Sequence, residues 1–164
     1  EINNFELHNV LLGSSNKDVL FNSSGSMEGA SVYDSSETSK IHRMVTMDSI
    51  DSIQSYSGKN SILLIDVEGY ELEVIKGGKF FIKNKAPLII FEFNHVSRKH
   101  FTLDQILDEL GPDYSLYRLR KDSYLDLNFN HTWNCVAVSK NSQYKDICAK
   151  LVINRNICDS QQVE

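Results

Sequence analysis

Asp66 and Glu68 stand two residues apart just beyond an apolar run, Ile62-Leu63-Leu64-Ile65. Glu92 and Asn94 repeat that arrangement at the end of a second run, Leu88-Ile89-Ile90-Phe91. In an extended chain such a spacing puts both members of a pair on one side. If the two runs are neighbouring strands, three carboxylates and an amide converge on one crevice. Grouped carboxylate oxygens can hold a hard divalent cation, or crowd one another until one serves as a general base. His95, next in the chain, can take a proton near neutral pH. Each acid also has a structural use. Glu68 can favour the positive end of a following helix, Asp66 can accept backbone N–H bonds in a turn, and Glu92 can tie down a loop. His8, His42, His100 and His131 form no ligand pattern, so no residue is assigned as a metal ligand and a divalent cation stays an open alternative.

The elements that must position these acids read as an α/β layer fold. Both apolar runs are short and rich in β-branched residues, as buried strands are. After the first, Gly69 permits a sharp turn, and Tyr70 to Lys76 reads as a helix with Leu72 and Ile75 inward. Gly77 suits a left-handed closing position. Ligands in open α/β sheets sit outside the carboxyl ends of strands, which is where the acids fall. Thr102 and Gln105 form a capping box, with Phe101 placed to staple onto Ile106, for a helix that ends at Gly111-Pro112.

Upstream, the pattern predicts a strand over 5–12, a second at Val19–Phe21 beside it, and a third at Ile41–Val45. A helix follows, capped by Thr46, stapled by Val45 and Ile50, and ended by Gly58. Residues 22–40 read as an exposed Ser-rich loop. Downstream, Tyr114–Leu119 and Trp133–Val138 read as a closing antiparallel pair. Ser142 caps a last helix through Tyr144, Ile147, Cys148 and Leu151, and 157–164 is a frayed tail.

Bulk properties limit the function. The 164 residues suit one domain, with 41% hydrophobic and 24% charged residues. A net charge of -5 without a basic stripe argues against nucleic acid as partner. No apolar run approaches the roughly 20 residues of a membrane span. Cys135, Cys148 and Cys158 lack metal-ligand spacing and read as thiols of a reducing, cytoplasmic compartment.

The stretch IDVEGYELEVIKGG followed by PLIIFEFN resembles the signature block of FkbM-type methyltransferases, a branch of the Rossmann-like, S-adenosylmethionine-dependent enzymes. NVLLGSSNKDVLF, VTMDSIDSI (with Met47 where Leu is usual), ILDELGPDYSLYRL and NCVAV resemble further parts of that family in the same order. The resemblance implies methyl transfer to a hydroxyl of a small-molecule or glycan acceptor, with S-adenosylmethionine as donor. It places Asp66, Glu68 and Glu92 where donor and acceptor meet, with a carboxylate or His95 as base. Asn9, Leu11 and Gly13 fall near the adenine edge of the donor.

Such enzymes bind the donor with a Gly-rich turn after their first strand and an acidic residue after the second. Nothing from Glu1 onward supplies either. The resemblance therefore implies a partial domain over 1–164, a Rossmann-like sheet whose first two strands are absent. The missing strand would lie between the one at 5–12 and the one at Ile62–Ile65. An upstream segment or a second copy would complete the sheet. The alternative is a catalytically silent binding or assembly module that keeps the fold.

Overall fold

The computed structural model describes residues 5–22, 40–50, 53, 60–130 and 133–153. Its larger sheet has five strands in the order β4-β5-β8-β6-β7, made of β4 (Ile62–Ile65), β5 (Leu88–Glu92), β6 (Tyr114–Leu119), β7 (Leu125–Asp126) and β8 (Asn134–Ser139). β4 and β5 pair in parallel, with Ile65 opposite Phe91. A parallel pair needs a crossover, and two consecutive helices provide it, α1 (Glu71–Gly77) and α2 (Lys79–Lys85). β8 runs antiparallel to both β5 and β6, so the sheet closes in the antiparallel manner expected of its last strands.

Alternation along each strand sorts the side chains into two layers. Ile65, Ile89, Phe91, Leu116, Cys135 and Ala137 share a buried cluster with Leu72, Ile75 and Ile82 of the crossover and Ile106 of α3 (Leu103–Leu110). On the other face Val136 and Val138 meet Cys148 of α4 (Lys145–Leu151). That cover does not reach β4, where Ile62 and Leu64 are 58% and 73% exposed. α3 carries the expected capping box between Thr102 and Gln105. Among the described residues no helix is long and apolar enough to cross a membrane.

A smaller sheet has the order β1-β3-β2, from β1 (Leu11–Leu12), β2 (Lys17–Phe21) and β3 (Lys40–Val45). Two expectations are corrected here. The first strand is only Leu11–Leu12, because Phe5 and Leu7 alternate suitably yet lie exposed instead of packing on a layer. The second strand pairs antiparallel with β3, and β1 pairs with β3 in parallel, so β3 lies between them.

The helix expected after Thr46 is a 3-10 turn, Met47–Ser49, with Ile50 extended. The Thr46 side chain makes no capping bond, and its backbone N–H donates to Asn16 Oδ1 at 2.7 Å. Asp48 caps a different helix, accepting from the N–H groups of Phe80 and Phe81 at 2.7 and 2.8 Å at the start of α2. Gly58, most of the Ser-rich 22–40 segment, Cys158 and the 157–164 tail lie outside the described residues.

Gly77 is also corrected. It is the last residue of α1, with no left-handed backbone. Its missing side chain makes room for the Gly13 carbonyl, which occupies the place of a Cβ. This contact joins the loop after β1 to the crossover helix of the larger sheet.

Candidate active site

Because β4 and β5 pair with Ile65 opposite Phe91, the next residues on each, Asp66 and Glu92, emerge side by side at the carboxyl edge. The chain then turns sharply. Glu68 has φ 51° and Gly69 φ 95°, so a non-glycine residue holds the left-handed conformation just before α1. That conformation costs on the order of 1–2 kcal/mol for a residue with a Cβ. The turn is held by Glu71. Its Oε1 accepts from the N–H of Val67 at 3.3 Å and of Gly69 at 3.2 Å, and its Oε2 accepts from Ser97 Oγ at 3.2 Å.

Glu71 is fully buried, and burial raises its carboxyl above the ordinary glutamate range against the pull of those donors. Asn94 organises the matching loop after β5, its Oδ1 accepting from the N–H groups of Val96 and Ser97 at 2.7 and 3.0 Å. The Ser97–Glu71 bond thus ties the two strand-end loops together. Sequence reading left Glu71 unnoticed. A usable signal was present, since Glu71 lies on the same inward helical stripe as Val74 and Ile75.

One carboxylate oxygen from each of Asp66, Glu68 and Glu92 lies within 4.8 Å of the others. Asp66 is exposed, Glu68 half-buried and Glu92 only 9% exposed. Burial, then the charges of Asp66 and Glu68, raise the Glu92 carboxyl, opposed by hydrogen bonds from the Asn94 and Trp133 side chains. Glu92 Oε2 has no hydrogen-bond partner. The turn amides whose bonds Asp66 could have accepted go instead to Glu71. Among the described residues no hydrogen bond or ion pair engages either carboxylate.

The other sequence candidates sit differently. His95 is exposed, outside the carboxylate group, with its ring 6.5 Å from Trp133. Trp133, itself absent from the sequence candidates, thus neighbours both His95 and Glu92. Asn94 organises its own loop through Oδ1 and also bonds to Glu92. Gly13 is buried, donates its N–H to Val45 at 3.0 Å, and faces Tyr70, whose ring is 3.0 Å from where a Gly13 Cβ would stand. Leu11 is half-buried in β1 and Asn9 exposed before it. Neither bonds to the carboxylates among the described residues.

A surface cavity of about 390 Å³ opens beside Trp133 and is walled by Arg118, Arg120 and Lys121. A second, of about 370 Å³, lies near the opposite edge of the sheet, between α2, the end of α3 and the start of β6.

With the strand-end acids in place, the comparison with known families is decisive. The model of the methyltransferase FkbM domain matches residues 3–117, well over half of the chain. The chain belongs to the FkbM methyltransferase family. The matched span contains β1 to β5, the crossover helices and all three clustered carboxylates. No curated protein and no solved structure matches the chain.

Proposed function

We propose that this FkbM-family chain carries the acceptor side of an S-adenosylmethionine-dependent O-methyltransferase, acting on a hydroxyl of a small molecule or glycan. The observation that supports this reading most is the meeting of Asp66, Glu68 and Glu92 at the carboxyl edge of parallel β4 and β5, with no cation paired to them among the described residues.

That donor set fits a cationic methyl donor, whose positive sulfonium is attracted by unpaired carboxylates. When bound, the donor supplies an activated methyl group and its own leaving group, so the protein needs no nucleophilic side chain. The chain's own task is to orient the acceptor and receive a proton. A carboxylate of the cluster would accept the hydrogen bond of the acceptor hydroxyl, align its oxygen and receive its proton. Glu71, Ser97 and Asn94 keep the two loops rigid enough to preserve that alignment. Gly13, through Tyr70, sets β1 with Asn9 and Leu11 on the donor side. His95 serves from the rim.

The sheet is read as a Rossmann-like one in two parts, with a further strand between β1 and β4. β4 supports this, since among the described residues it pairs only with β5 and stands at the edge of the larger sheet, while its short apolar run and exposed Ile62 and Leu64 suit a strand covered on both faces. The Gly-rich donor loop then comes from residues outside this stretch or from a second copy. Buried, unpaired Cys135 and Cys148 are in keeping with a reducing, cytoplasmic setting.

The deciding experiment supplies S-adenosylmethionine labelled on its methyl group with a panel of hydroxylated acceptors, and locates the label by mass spectrometry. Label on an acceptor oxygen is expected wherever the donor loop is also supplied. Donor binding without any transfer would favour a silent binding module.

A further inference from the structure

We propose that Asp66, Glu68 and Glu92 form a binding site for one hard divalent cation, Mg²⁺ or Mn²⁺, between the ends of β4 and β5. Each acid offers an oxygen within 4.8 Å of the other two. Oxygens that share an ion at about 2.1 to 2.5 Å stand no more than about 4 to 5 Å apart, so this spacing suits a single ion. An all-oxygen, triply negative set selects a hard cation over zinc or copper, which favour sulfur and imidazole.

Clustered acids alone would say little, but Glu92 adds an independent observation. It is only 9% exposed, and its Oε2 is closed off with no hydrogen-bond partner. Native proteins leave few buried polar atoms unbonded, and a charged one least of all. A cation held by the three acids would lie beside this carboxylate, within reach as a partner for that oxygen.

No side chain among the described residues takes that place. The Asn94 and Trp133 side chains already donate to the carboxylate, and Oε2 remains unbonded. The Asn94 carbonyl faces Val96 and Ser97. The nearby ion pairs of Arg118 and Arg120 go to Asp122 and Asp126. Because Glu71 takes the turn amides, the oxygens of Asp66 and Glu68 stay available as ligands.

Binding of the ion does not depend on the methyl-transfer reading; its use does. Three protein oxygens leave open positions for water or an acceptor hydroxyl.

The test is a titration of the folded chain with Mn²⁺, followed by calorimetry and by the loss of the free-ion EPR signal. Mg²⁺ serves as competitor. One saturable site is expected, weakened about tenfold or more by Asp66→Asn and by Glu92→Gln. No saturable uptake by the wild-type chain, or uptake unchanged in the variants, overturns the proposal. Should Glu92→Gln fail to fold, the exposed Asp66→Asn decides alone. Uptake without methyl transfer would uphold the cation site and count against the transferase reading. Full transfer in chelator, with no uptake, would remove the site and leave that reading standing.

Discussion

The backbones of Gly13 and Gly77 touch, with the Gly13 carbonyl oxygen in the space a Cβ on Gly77 would occupy. This contact helps set how the smaller sheet sits against the crossover helices, together with the Ser14–Glu73 bond and the Asp48 cap. Replacing Gly77 by Ala should improve helix propensity by about 1 kcal/mol. The obstacle, however, is a backbone carbonyl, which has no rotamer to retreat into. Overpacking of this kind costs about 1–3 kcal/mol and should win. Urea unfolding should show a lower midpoint for Gly77→Ala with an unchanged slope. A raised midpoint would mean that the Gly13 loop and the end of α1 do not meet.

Asp48 supplies both oxygens to the first turn of α2, one to Phe80 and one to Phe81. Loss of a helix cap costs about 0.5–2 kcal/mol. Asp48→Ala should fall within that range by chemical unfolding, and Asp48→Asn should recover part of the loss, since its amide oxygen still accepts one bond. If Asn is no better than Ala, the capping role is wrong.

Much of this architecture was legible because local signals agreed with one another. The apolar runs of β4 and β5 are bounded by acids, and Thr102 and Gln105 announce α3. What was not legible turns on choices among equivalent residues. Within DVEGYE, three acids lie close enough to reach the turn amides, and spacing alone cannot say that Glu71 takes them while Asp66 and Glu68 stay unbonded. A glycine at a helix end reads equally as a left-handed cap or as a point of close approach, and Gly77 is the second. Phe5 and Leu7 alternate like strand residues, but alternation does not reveal whether a layer exists to cover them. The role of Trp133 beside Glu92 arises from the pairing of β5 with β8, a long-range contact with no local trace.

Glu71 should make stability depend on pH. Its carboxyl is raised in the folded chain, so the native state holds that proton more tightly than the unfolded state does. Its contribution is therefore full below the ordinary glutamate value and is lost as pH rises through the raised one. Glu71→Gln keeps an oxygen for Val67 and Gly69 but does not titrate. The stability difference between the two proteins should shift toward the variant as pH rises from about 4 to about 8. A difference that is flat, or that shifts toward the wild type, would show that the donors from Val67, Gly69 and Ser97 outweigh burial.

Asp66 separates a catalytic arrangement from a structural one. It is exposed, and it contributes repulsion toward Glu92 rather than a bond. Removing its charge should therefore leave folding stability within about 0.5 kcal/mol of the wild type, as surface substitutions usually do. If its carboxylate orients the acceptor or takes its proton, Asp66→Ala should lower the rate of methyl transfer by about 10²–10⁴-fold. Asp66→Asn, which keeps the shape but not the charge, should fare little better. Labelled methyl transfer and thermal unfolding, measured on the same preparations, distinguish the cases. Parallel losses of rate and melting temperature would assign Asp66 to the fold. A lost rate at an unchanged melting temperature would assign it to the reaction, because repulsion relieved at Glu92 cannot by itself slow chemistry that needs that charge.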